Sequence, residues 1–287
     1  MKETRYRVLK RGSGLALKGI KIGFIGAGNM AESLIKRLIS LSVLPQKNLL
    51  ASDINIDRLQ YISKTYSIET LKSNKDLAKK ADIVILAVKP QGMSKILAEL
   101  YGVISKKQLV ISIAAGITIE GIKSILGDTN IIRVMPNNPA LVGEGISAIS
   151  ADASVGEKHI KLAETIFDSV GKTLRIEETL LDAVTALSGS GPGFVYYFLE
   201  AMIEGGESIG LSHEASRELA VQTFLGSIKT VIETGKSPEE LRHMVTSPGG
   251  TTLAGLKVFE TNNFKEIISK ALVQAAKRAK ELSEGLS

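Results

Sequence analysis

The chain has 287 residues, 44% of them hydrophobic, with 36 Lys and Arg against 30 Asp and Glu and no cysteine. That length exceeds what one core ordinarily serves, and the apolar fraction can bury two, so a two-domain globular protein is expected and disorder over most of the chain is excluded. The absence of cysteine removes disulfide frameworks, thiolate zinc sites, iron–sulfur clusters and cysteine nucleophiles together, and no apolar run reaches the roughly 18 residues that a membrane span needs.

The basic residues are concentrated at the start. Residues 1–20 carry Lys2, Arg5, Arg7, Lys10, Arg11 and Lys18 against Glu3 alone, which leaves the rest of the chain close to neutral and argues against a folded nucleic-acid-binding surface. This basic N-terminal extension has neither the apolar centre nor the small-residue cleavage site of a secretory signal. Its acid-poor content is loosely like a transit peptide, but an ordinary extension on a soluble, cytoplasmic protein is the favoured reading.

From Lys21 to about Ser150, short β-branched runs alternate with helical patterns. Strands are expected at Lys21–Ile25, Asn48–Ser52, Asp82–Val88, Leu109–Ile113, Ile131–Val134 and Gly145–Ile149. Runs such as IVILAV and LVISI are almost continuously apolar, as strands buried on both faces are. Leu34, Ile35, Leu38 and Ile39 recur at helical spacing between the first two strands. The alternation predicts a Rossmann-type α/β domain over 21–176, a doubly wound and mostly parallel sheet with right-handed crossovers. A helix over Val155–Val170 and a strand-like TLRIE complete it. From Leu180 to Leu286 the chain reads as helix, broken at Gly210, Gly235 and Ser247–Thr252, with Ser212 and Ser237 as expected N-caps. Residues 177–287 are therefore read as an all-helical C-terminal domain.

KIGFIGAGNMA sets Gly26, Gly28 and Ala31 in a G-x-G-x-x-A pattern between a strand and a helix, the context in which the motif binds a dinucleotide. Gly26 permits the tight turn, Gly28 lets the backbone approach a pyrophosphate, and Ala31 keeps the helix near the strand. Ala27, Asn29 and Met30 complete the loop, and the helix N-terminus turns free N–H groups and a positive dipole end toward the phosphates. Asp53, beside Ser52 at the end of the second strand, is placed to accept hydrogen bonds from an adenosine ribose and to repel a 2′-phosphate, a lean toward NADH. The nearest arginine is Arg58. Ala87, Val88, Lys89 and Pro90 end one strand, and Ala114, Ala115 and Gly116 end the next, with side chains small enough to admit a nicotinamide. Lys89 is either a cofactor contact or a solvated loop lysine.

Two glycine-rich segments interrupt the helical half, LSGSGPG at 187–193 and SPGGTT at 247–252. In the second, the N–H groups of Gly250, Thr251 and Thr252 would point from a helix N-terminus toward a small carboxylate, with two hydroxyls beside them. The three histidines, His159, His213 and His243, are scattered without ligand spacing, so no metal site is expected. Ser188 and Ser190 lack a His/Asp constellation, which argues against a hydrolase.

Taken in order, GFIGAGNMA, AVKP, SIAAG, RVMPNNPA, SGSGPGF and SPGGTT resemble the pyrroline-5-carboxylate reductase family from Lys21 to about Leu282, with SPGGTT after LSGSGP as the specific part. The resemblance implies reduction of the cyclic imine L-1-pyrroline-5-carboxylate to L-proline with NADPH or NADH. It implies a C-terminal domain interlocked with a partner subunit, active sites formed across that homodimer, and dimers gathered into a larger ring such as a decamer. By position in the motifs, Ser247, Gly250, Thr251 and Thr252 hold the substrate, with Thr252 at the ring nitrogen. Asn74 contacts the cofactor ribose, and Ala87, Lys89 and Pro90 line the nicotinamide side. Many relatives carry a polar or basic pair where this chain has Asp53-Ile54, which keeps NADH and NADPH both open. Gly193 stands where Ala is more usual, and the extension has no counterpart.

Two other readings share parts of the pattern. A β-hydroxyacid dehydrogenase needs a lysine on a helix of its second domain, and no lysine occurs between Lys172 and Lys229. A dinucleotide-binding protein without turnover would have no use for SPGGTT. The apolar run Phe194–Leu199 covers much of a helix's circumference, as burial between subunits or inside one core would both require.

Overall fold

The structure is a computed structural model that describes residues 17–284. Most of the basic extension read over 1–20 lies outside the described residues, but Leu17 is fully buried in the same core as Phe24 and Leu34.

The strands are β1 (Ile22–Ile25), β2 (Leu49–Ser52), β3 (Glu69–Leu71), β4 (Ile83–Leu86), β5 (Leu109–Ser112), β6 (Asn130–Met135), β7 (Gly145–Ala151) and β8 (Gly171–Arg175). They form one sheet in the order β3-β2-β1-β4-β5-β6-β7-β8. Every pairing is parallel except β6 with β7, where Val134 sits opposite Ile149. The expected mostly parallel, doubly wound sheet is therefore present.

Its two faces explain the continuous apolar runs. Ile22, Phe24, Ile83, Ile85, Leu109 and Ile111 point to one face, under α1 (Asn29–Ser40), α2 (Ile56–Tyr66) and α6 (Glu157–Phe167). Ile25, Val84, Leu86 and Val110 point to the other, under α3 (Asn74–Lys80), α4 (Met93–Leu100) and α5 (Ile119–Leu126). A strand with helices on both sides cannot alternate polar with apolar residues, because water reaches neither face.

Most strand ends shift by a residue or two from the sequence reading, and three differences are larger or change the site. β3 was not expected: it is three residues long, at the sheet edge and only partly buried, so it leaves little pattern. β4 stops at Leu86, short of Val88, and Ala87 keeps only its N–H on Ile25 O at 2.8 Å. The helix read over Val155–Val170 is α6 followed by a 3₁₀ turn at Asp168–Val170.

The remaining elements are α7 (Leu181–Val184), a π turn at Thr185–Gly189, α8 (Gly191–Ser208), α9 (His213–Thr234), α10 (Pro238–Met244), α11 (Thr251–Thr261) and α12 (Phe264–Glu284). Ser212 caps α9 by accepting from Ala215 N, and Ser237 forms a reciprocal capping box with Glu240 on α10. Two compact units result. One runs to Ser190 and includes the end of α12 from Ala275, and the other is Gly191–Gln274. This geometric division falls later than 176/177, because Leu181 and Ala186 are buried with the first unit. Within the second unit, Phe198 meets the rings of Phe224, Phe259 and Phe264 at 5.6, 6.5 and 5.8 Å. No residue of α8 is fully buried, and Tyr197 is 75% exposed. Among the described residues no helix is long and apolar enough to cross a membrane.

Candidate active site

β1 delivers the chain into the glycine loop at the point where the strand order reverses, between β1 and β4. Ligands bind at such switch points in open α/β sheets. Gly26 has φ of +96°, and a Cβ there would lie 2.5 Å from the carbonyl oxygen of Ala87. The turn therefore excludes every other residue for two reasons, conformation and the end of β4. Gly28 is the N-cap of α1 in an extended conformation, and a Cβ on it would meet nothing within 4 Å. Among the described residues no side chain caps α1, so its first-turn N–H groups are open to a ligand. Buried Ala31 seats the helix on the sheet. An open surface above Gly28, uncapped N–H groups and an acid nearby fit the diphosphate and ribose of a dinucleotide. Asn29 and Met30 occupy the first turn, exposed and partly buried respectively.

Asp53, the acid that the sequence sets against a ribose, has partners of its own in the loop. Its Oδ2 accepts from Ala27 N at 2.8 Å and its Oδ1 from Asn55 N at 2.9 Å, so the acid also holds the loop in shape. Arg58, a turn further along, comes back to the same loop and donates from Nε to Ala27 O at 2.6 Å. Its guanidinium pairs with Glu32 on α1 and lies 5.1 Å from the ring centre of Tyr61. Glu32 also accepts from the hydroxyls of Tyr66 at 2.7 Å and Tyr61 at 3.1 Å. Burial alone would raise the Glu32 carboxyl, but the hydrogen bonds from Tyr66, Arg58 and Tyr61 outweigh it and hold the group below its ordinary value. Burial and the Glu32 charge push the Tyr66 hydroxyl up, so it remains a donor. Next to this, Ser52 Oγ donates to Asn74 Oδ1 at 2.8 Å, and Asn74 Nδ2 donates to Glu99 Oε2 at 2.8 Å. Asn74 is thereby fixed at the start of α3, beside the end of β2.

At the other side of the loop, Ala87 and Val88 are partly buried and Lys89 is exposed, while Pro90 opens a 3₁₀ turn that ends the strand direction. Ala114 is buried, Ala115 is partly so, and Gly116 turns the chain at φ of +78°. These two segments leave neighbouring parallel strands, β4 and β5. The RVMPNNPA and SGSGP segments are joined as well. Asn137 Nδ2 donates to Ser188 O at 3.2 Å, its Oδ1 accepts from Ile146 N at 2.9 Å, and a Cβ on Gly189 would lie 2.9 Å from the methyl of Met135.

In the second unit, Ser247–Gly250 form a turn closed by Gly250 N on Ser247 O at 3.1 Å, with Gly249 at φ of +73°. The expectation that the Gly250 N–H faces a ligand is corrected by that bond: the turn uses it. Thr251 and Thr252, both exposed residues, open α11, and among the described residues no side chain caps this helix. A Cβ on Gly250 would sit 2.4 Å from Ser247 Oγ, so the glycine is what lets Ser247 fold over the helix start.

Glu32, Arg58, Tyr66, Glu99 and Asn137 were missed as parts of the site. Glu32 had left one signal, an acid directly after Ala31 in the turn that should receive phosphates. Its partners come from later helices, at separations no local pattern reveals.

Comparison with known proteins bears on both units. Residues 178–282 match a family model described as pyrroline-5-carboxylate reductase dimerisation, and residues 21–116 match one described as NADP oxidoreductase, coenzyme F420-dependent. The pyrroline-5-carboxylate reductase of Arabidopsis thaliana is 40% identical over 268 residues, 93% of this chain and 97% of that one. A Coxiella burnetii pyrroline-5-carboxylate reductase structure superposes with a TM-score of 0.87 at 38% identity, covering 92% of this chain and 98% of that one. A Plasmodium falciparum pyrroline carboxylate reductase, solved with NADP bound, gives 0.84 at 33% identity over 92% and 98%.

Proposed function

This chain belongs to the pyrroline-5-carboxylate reductase family, and on that footing we propose how its residues share the work. It is an NAD(P)H-dependent oxidoreductase of proline biosynthesis that reduces L-1-pyrroline-5-carboxylate to L-proline. The cofactor segments are Gly26–Met30, Ser52 with Asp53, Asn74, Ala87–Pro90 and Ala114–Gly116. The loop and the α1 N-terminus hold the diphosphate, Asp53 and Asn74 the adenosine ribose, and the two strand-end segments the nicotinamide. When bound, the reduced nicotinamide supplies the hydride.

A protonated imine is already electrophilic, so the chain's own part is alignment and charge placement. The N–H groups of Thr251 and Thr252, with Ser247 above them and Gly250 shaping the turn, anchor the carboxylate at the positive end of α11. Thr252 Oγ1 hydrogen-bonds the ring nitrogen. A neutral hydroxyl is too weak an acid to protonate it, so Thr252 orients the iminium or a water that carries the proton. The observation that carries this reading is the uncapped start of α11 beneath Ser247, a helix terminus without a side-chain partner among the described residues.

Residues 177–287 act as the dimerisation and substrate domain, and the exposed apolar surface of α8 supports pairing with a second copy. We further infer a ring of dimers such as a decamer, in the cytoplasm. Steady-state reduction of pyrroline-5-carboxylate with NADH and with NADPH tests the reaction and the cofactor together; turnover with neither refutes the assignment.

A further inference from the structure

The adenosine side of the glycine loop holds a charge arrangement that binding and hydride transfer alone do not require. Ala27 is gripped at both ends: its N–H by Asp53 at 2.8 Å and its carbonyl by Arg58 at 2.6 Å. The acid that faces the ribose and the arginine thus hold the same residue, one through each of its flanking peptide groups. A 2′-phosphate, with close to two negative charges, would enter beside Asp53 within reach of that arginine. Arg58, however, is paired with Glu32, and Glu32 is itself held in place by Tyr61 and Tyr66. Two carboxylates and one guanidinium leave a net charge of −1 where the second phosphate would sit.

We propose that Glu32 is a positioning residue for cofactor choice: by holding the Arg58 guanidinium against the loop, it withholds that charge from a 2′-phosphate and tilts the site toward NADH. This rests on the reading of Gly26–Gly28 as a dinucleotide loop. Arg58 serves either cofactor as a structural tie through Ala27, but only NADPH gains when its charge is released. Removing the Glu32 charge while keeping its shape takes the local net charge from −1 to zero, which favours a dianion over a hydroxyl.

The test is direct binding of each reduced cofactor to the full-length protein, read from nicotinamide fluorescence, which has no tryptophan background in this chain. In Glu32→Gln the ratio Kd(NADH)/Kd(NADPH) is expected to rise about tenfold, the size of a one-unit charge change felt by a dianion across a partly screened site. In Arg58→Gln the ratio is expected to fall, so the second variant decides the matter if the first does not fold. A merely structural tie would weaken both cofactors together and leave the ratio unmoved in either variant; that result overturns the proposal. Binding of neither cofactor by the unsubstituted protein overturns the dinucleotide reading, and this inference with it.

Discussion

Replacing Gly26 with Ala separates what the glycine loop does for the fold from what it does for the ligand. At φ of +96°, an L-residue costs about 1–2 kcal/mol. The added methyl would also lie 2.5 Å from Ala87 O and 2.8 Å from Ala87 C. These are backbone atoms at the end of β4, so relief means moving the strand end, a further cost of about 1–3 kcal/mol. The sum, about 2–5 kcal/mol, corresponds to a melting temperature lowered by roughly 10 °C. Gly28→Ala is the matched control. Its φ is −69° and the new methyl meets nothing, so only the poorer N-cap counts, about 1 kcal/mol or less. That methyl nevertheless occupies the surface where a diphosphate must approach the backbone, and the affinity for NADH and NADPH should fall at least about tenfold, the step that 1.4 kcal/mol produces. Thermal melts and cofactor titrations on both variants check the argument. A Gly26→Ala protein as stable as the parent would refute the steric reasoning. Full cofactor affinity in Gly28→Ala would refute the placement of the diphosphate.

Three more outcomes are expected. Thr252→Ala should lower turnover about 10- to 1000-fold without changing the melting temperature, the loss usual for one polar group in a transition state, and unchanged turnover removes its role. In Gly250→Ala the methyl displaces Ser247 Oγ, 2.4 Å away, so KM for the imine should rise more than KM for the cofactor; equal rises count against the carboxylate site. Burial pushes Asp168 up to about 6 from an ordinary 3.8, its Oδ2 has no hydrogen-bond partner among the described residues, and the charge of Glu164 adds to the shift. The folded chain thus holds this proton more tightly than the unfolded one, and the stability so gained is present below about pH 4 and lost as pH climbs to about 6. Asp168→Asn should therefore raise the melting temperature at pH 7.5 and leave it unchanged at pH 4; equal gains at both pH values contradict the assignment.

Much of the frame was legible because local patterns report burial. Val84, Leu86 and Val110 face one layer of helices and Ile83, Ile85 and Ile111 the other, and the unbroken apolar runs followed from that. β3 escaped because an edge strand of one exposed and two partly buried residues needs no such run. The Ser247–Gly250 turn was legible as Gly and Pro amid helix formers, yet its hydrogen bonding was not: only the folded turn shows that Gly250 N–H closes on Ser247 O.

By itself, the order of residues settled most of the strands and helices, where the glycine loop starts a helix, and which family supplies the motifs. Those are matters of spacing along a chain, and a period of two or of 3.6 is visible in one dimension. Tertiary structure alone decided that Arg58 returns to Ala27, that Glu32 neutralises it, and that Asn137 holds the turn at Ser188. Electrostatic and hydrogen-bonded partners act over a few ångströms of space, whatever their separation in sequence, so only the packing of one element on another brings them together.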